Sequence, residues 1–179
     1  MRAVLARLTA VEGLEHVLTR FRDSCARPAK RSVFENNPSP YVLECRMEVD
    51  AYFGVRGDIT DVLTRFEAAD LPVAASSVRY ALDFQRAHGR MPDGSLMSWP
   101  GLEAAVIRIE WDRPDPLPSQ VEEPLPCFPP KDEIYERCSI TPQAPMSVAT
   151  ARARYGTVLA LYLSSSASNG YYFTVPRKK

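Results

Sequence analysis

The chain has 179 residues, 45% of them hydrophobic and 25% charged, and its 22 basic and 22 acidic side chains cancel. That is enough apolar residue for one ordinary core, while zero net charge excludes a histone-like polycation but not a local basic patch. No apolar run approaches the roughly 18 residues of a membrane-spanning helix, and eight glycines against sixteen prolines exclude collagen and flexible Gly-rich linkers.

In chain order, Ala3-Val4-Leu5-Ala6-Arg7-Leu8-Thr9 reads as a first strand. Arg2 and Arg7, with no acid before Glu12, also give the start a faint presequence character. Over residues 12–25, Leu14, Val17, Leu18, Phe21 and Cys25 follow the i, i+3, i+4, i+7 spacing of an amphipathic helix, with Thr9 and Glu12 resembling a capping box. Residues 32–35 read as a short strand and 36–40 as a turn. Tyr41, Leu43, Cys45, Met47 and Val49 then alternate with Val42, Glu44, Arg46 and Glu48, a clear strand. Residues 58–69 carry Ile59, Val62, Leu63 and Phe66 on one helical face, entered at Asp58 as N-cap. Val78, Tyr80, Leu82 and Phe84 alternate as a further strand.

This order, strand-helix-strand-strand-helix-strand, predicts an α+β fold over residues 1–84. It is the ferredoxin-like split βαβ domain, an antiparallel sheet with two helices on one face. Residues 85–111 add a strand through Ala105, Ile107, Ile109 and Trp111. Residues 112–179 form a Pro-rich extension, with nine of the sixteen prolines between 112 and 145, closed by a C-terminal hairpin over 156–175.

The chain offers little catalytic chemistry. His16 falls on the polar side of the first helix and His88 in a polar loop, with no local nucleophile motif beside either. Gly54-Val55-Arg56-Gly57-Asp58 is a tight loop ahead of a helix, read as a turn rather than an anion cradle. Glu44 and Glu48 flank Arg46 and read as a salt-linked face. Cys25, Cys45, Cys127 and Cys138 show no C-x-x-C pair and no histidine ligands; reduced core thiols and a reducing compartment are expected, with no metal and no cofactor. An enzymatic alternative would use His88 or Arg56.

Nucleic-acid binding is the stronger reading. Arginine outnumbers lysine 18 to 4, which coding bias alone produces but which also suits bidentate contact with phosphate. Arg2, Lys30, Arg31, Arg46 and Arg79 are the candidate RNA or partner contacts. The third strand has no aromatic platform, so base stacking of the RNA-recognition-motif type is disfavoured. Over residues 1–84 the arrangement resembles small-subunit ribosomal protein six of bacteria and organelles. The points of likeness are Met1-Arg2 opening into a strand, residues 41–49 entered at an aromatic, the helix from Asp58, and Arg79 in the last strand. The resemblance implies a non-enzymatic constituent of a small ribosomal subunit, mitochondrial by its extension, binding rRNA and neighbouring small-subunit proteins, with no small-molecule substrate. The alternative is a structural or interaction subunit of another large assembly, such as a viral particle or secretion machinery.

Overall fold

A computed structural model describes residues 1–28, 40–95, 102–112, 120–127, 133–165 and 171–177. The fold is mixed α+β. Four helices are present among the described residues: α1 (Arg2–Thr9), α2 (Ile59–Phe66), α3 (Ala75–Arg86) and α4 (Val148–Tyr155). The strands are β1 (Leu14–Ala26), β2 (Tyr41–Val55), β3 (Leu102–Ala104), β4 (Ile107–Trp111), β5 (Glu133–Thr141), β6 (Thr157–Ser164) and β7 (Phe173–Pro176). All pairings are antiparallel, in the order β3-β4-β6-β2-β1-β5 with β7 also on β2.

Residues 2–86 therefore run helix, strand, strand, helix, helix, and the split βαβ order expected there is not adopted. Residues 2–9 are helical because Met1, Val4, Leu5 and Leu8 recur at helical spacing and pack on the core, with Leu8 fully buried. The stretch from Leu14, expected as a helix, is a thirteen-residue strand. The misreading has a physical source. A bulge between His16 and Leu18 shifts the alternation by one, and Leu18 and Phe21 are packed on opposite faces of the sheet. Two buried faces and a bulge together imitate a period near 3.6. Thr9 caps nothing downstream; its hydroxyl donates to the Leu5 carbonyl inside α1 (2.8 Å).

The strand at 41–49 forms and continues to Val55. The second helix also forms, with the Asp58 carboxylate accepting from the Thr60 amide at 2.7 Å, a bond that lowers the Asp58 pKa. Residues 78–84, expected as a strand, belong to α3: Val78, Ala81, Leu82, Phe84 and Gln85 are its buried residues, while Tyr80 is exposed. The expected strand at 32–35 and turn at 36–39 lie outside the described residues.

The described parts of the proline-rich stretch are more integrated than its composition suggests. Residues 133–141 are the end strand of the sheet, and residues 120–127, which belong to no helix or strand, are anchored to it. The Asp112 carboxylate is the anchor: it accepts from Arg152 Nε and Nη2 (both 2.9 Å), from the Val121 amide (2.8 Å) and from the Val158 amide (2.9 Å). One largely buried carboxylate thus joins the end of β4, residues 120–127, α4 and β6. β6 and β7 do not form the expected hairpin. Both pair with β2, at 48–55 and 41–45 respectively, as two collinear pieces along one side of it.

The cysteines form two disulfides, Cys25–Cys45 and Cys127–Cys138, rather than the reduced core thiols expected. Cys25 and Cys45 stand directly opposite one another across β1 and β2, a proximity that linear spacing does not reveal. Cys127–Cys138 ties the segment of residues 120–127 to β5.

The odd-numbered residues of β2, β4 and β6 face α1, α2 and α3. Val49, Ala51, Phe53, Val55, Ile107, Ile109, Trp111, Leu159 and Leu161 there meet Leu8, Leu63, Phe66 and Val78 in the main core. The even-numbered face carries a smaller core, where Tyr52, Val158 and Ala160 pack on Val148 and Ala151 of α4. Gly54 belongs to this face because the Tyr155 ring lies flat against its backbone, in the space a Cβ would need.

Candidate binding site

Beyond α4, the even-numbered face is polar and organised in rows. Register places Arg20, Asp50, Tyr162, Arg108 and Glu103 side by side across β1, β2, β6, β4 and β3. Arg20 reaches Asp50 at 3.0 Å, both largely buried. Arg108 lies 4.6 Å above the Tyr162 ring centre and 3.3 Å from Glu110. In the next row Arg22 donates through Nε to Glu136 (2.7 Å), with Glu48 at 3.9 Å. Burial raises the Asp50 pKa, and the Arg20 hydrogen bond and charge only partly oppose this. Burial likewise raises Tyr52 and Tyr162. A shallow hollow of about 340 Å³ opens over Glu48, Asp50, Arg108 and Tyr162. Asp50 and Arg108 are already engaged, by Arg20 and by Glu110 and Tyr162, the pattern of a structural ionic lattice rather than a poised acid–base pair.

The helix-bearing face has a different character where its helices stop. α1 to α3 cover β2, β4 and β6, but the β1–β5 side and the ends of β1 and β2 extend past them. There register sets Tyr135, Cys25, Cys45 and Phe173 in one row across β5, β1, β2 and β7. The disulfide forms the middle of the row. Tyr135 and Phe173 flank it with 45% and 50% of their surface exposed, and Tyr172 beside them is 48% exposed. The Tyr172 hydroxyl donates to Asp23 at 2.8 Å, which raises its pKa. Arg137 sits 3.8 Å from Asp23 with its guanidinium 5.2 Å from the Phe21 ring centre.

Between this aromatic row and α1 lies a groove of about 620 Å³. Met1, Leu5, Phe21, Met47 and Val49 form its apolar walls, Thr19 and Ser139 add hydroxyls, and Arg2 and Arg137 stand in its lining.

The sequence-predicted contacts do not assemble. Arg2 lies in the groove on the helix-bearing side, Arg46 is exposed on the opposite face 3.9 Å from Glu48, and Arg79 is exposed on α3. Lys30 and Arg31 lie outside the described residues. Three predicted residues thus occupy three separate surfaces, because Arg2 and Arg79 are on helices rather than in one sheet with Arg46. His16 packs edge-on to Phe53 with Nε2 2.8 Å from Thr19 Oγ1, and partial burial lowers its pKa. His88 has positive φ in the turn after α3. Arg56 pairs with Glu15. Among the described residues no group of three His, Cys, Asp or Glu side chains converges on a metal position.

Sequence reasoning missed Tyr135, Arg137 and Phe173 as surface features. Tyr135 and Arg137 become neighbours of β1 only through a pairing more than a hundred residues distant in sequence. The available signal was the alternation of residues 133–141, obscured by the prolines around them. No protein-family model, no curated protein and no solved structure matches the chain.

Proposed function

We propose that this protein is a non-enzymatic interaction subunit of a larger assembly, which docks through the uncovered end of its helix-bearing sheet face. One observation carries the reading: the row of Tyr135, the Cys25–Cys45 disulfide and Phe173, half-exposed beside an apolar groove on a face that is otherwise sealed by helices. Contiguous exposed apolar surface of this kind marks interaction sites, and aromatic side chains dominate the energetics of interface centres. The disulfide holds two strands of the row in fixed register, so the surface is preorganised for a partner.

The small-subunit ribosomal reading, with rRNA as partner, rests on the split βαβ order and on Arg2, Arg46 and Arg79 acting together. Neither support is present in the fold, so the geometry favours a protein partner over RNA. The two differ in their dependence on salt, since phosphate contacts weaken steeply as salt rises and apolar contacts do not.

The test is sedimentation of native lysate. Wild-type protein should travel in a large particle that survives moderate salt and magnesium chelation. Tyr135→Ser combined with Phe173→Ser should release it while changing stability by less than about 0.5 kcal/mol. Wild type at the monomer position overturns the proposal. Release by magnesium chelation and by Arg2→Glu with Arg46→Glu and Arg79→Glu, but not by the aromatic changes, overturns it in favour of the ribosomal reading.

A further inference from the structure

We infer that the groove between α1 and the β1–β2–β5 surface is a binding site for a small amphipathic carboxylate, an aliphatic chain ending in a single acid group. The inference goes beyond the docking proposal and does not depend on it. At about 620 Å³ the groove falls in the range of small-molecule sites. Its walls are mainly apolar, built by Met1 and Leu5 of the helical segment and by Phe21 and Met47 of the sheet. Two of the five apolar wall residues, Met1 and Met47, are methionines, whose flexible thioethers adapt to chain-like ligands.

Charge determines which end of such a ligand is recognised. Arg2 stands in the lining with no acidic partner among the described residues. Arg137 contributes a second guanidinium, held over Phe21 and only loosely engaged by Asp23 at 3.8 Å. The first turn of α1 contains no acidic residue. The charged side chains at the groove are therefore two guanidinium groups against the Asp23 carboxylate, which already accepts the Tyr172 hydroxyl. An apolar chain satisfies the walls, and one carboxylate, which guanidinium groups bind bidentately, satisfies the surplus positive charge. A phosphate ester without an aliphatic chain would leave the apolar walls wet, and a zwitterionic headgroup would bring a cation against the arginines.

Dodecanoate, kept below micelle-forming concentration, is the probe, and the readout is the methyl NMR signals of 13C-methionine in the full-length chain with its disulfides intact. Saturable shifts are expected at Met1 and Met47, with Met91, exposed on the loop after α3, unmoved. The methyl ester of the same chain and dodecyltrimethylammonium should bind at least about tenfold more weakly, as the loss of a charge-assisted contact implies. Arg2→Glu should weaken dodecanoate by a similar factor and Arg2→Lys by less. Equal binding of the three probes, or shifts spread over all methionines, overturns the inference. So does an absence of shifts at Met1 and Met47. If their signals move with protein concentration alone, a second copy occupies the groove and the ligand assignment fails.

Discussion

Along β2, Val49, Ala51, Phe53 and Val55 point toward three helices, while Glu48, Asp50 and Tyr52, their alternate neighbours, point to a face that one helix covers only in part. The first set is held by exclusion of water and close packing. The second is held by pairing: Arg20 with Asp50, Arg22 with Glu136, Arg108 with Glu110. One strand thus presents two kinds of cohesion, and they should fail differently. An apolar face loses stability in proportion to the volume removed. An ionic face is most sensitive to being left half-paired.

The largest effect should come from Phe53→Ala, which empties a fully buried site and should cost about 3–5 kcal/mol in urea denaturation. An effect under about 1 kcal/mol would show that the helices do not seal this face. Next is Asp112→Ala, which leaves Arg152 without its bidentate acceptor and strands the Val121 and Val158 amides; about 3 kcal/mol is expected by the same measurement.

The Arg20–Asp50 pair sharpens the contrast. Asp50→Leu alone should cost about 3 kcal/mol, because it leaves a buried guanidinium unpaired. Arg20→Met with Asp50→Leu should cost less than either single change, as for other buried ion pairs replaced by apolar side chains. Strict additivity in this double-mutant cycle would mean the two charges do not interact.

A smaller effect separates the faces by pH. Asp50 is an acid whose pKa is higher folded than unfolded. While it is charged the fold bears a cost; that cost fades as pH falls through the folded value and is gone below the unfolded one. Wild type should therefore gain melting temperature relative to Asp50→Asn as pH drops through this window. A constant difference between the two would show that Asp50 titrates normally. The least costly change should be Phe173→Ser, at a half-exposed position, with stability within about 0.5 kcal/mol of wild type. A large loss would move this residue from the interaction surface into the core.

Some of this organisation was legible in the residues. The alternation from Tyr41 to Val49 identified the central strand, and Asp58 with Ile59, Val62, Leu63 and Phe66 identified α2 and its cap. Both signals are local: a clean period of two or of 3.6 beside an unambiguous capping residue. Where the local pattern was ambiguous, the element type was misread. Leu14 to Cys25 has helical spacing only because a bulge lies within a strand buried on both sides. Val78 to Phe84 alternates, although α3 buries Ala81 and Gln85 along with Val78, Leu82 and Phe84 and leaves Tyr80 exposed. The candidate site was less visible still. Arg2 is legible, but its companions Phe21, Met47 and Arg137 come together only through the β1–β2 and β1–β5 pairings.

The residues by themselves determined that this chain folds into a mixed α+β domain with an antiparallel strand at 41–49 and a capped helix from Asp58, because periodicity and capping act over a few neighbouring residues. Tertiary structure alone decided that Cys25 faces Cys45, that residues 133–141 close the sheet, and that an apolar groove with two arginines lies beside α1. Those features depend on which distant strands pair and in what register, and register is a property of the whole sheet rather than of any segment within it.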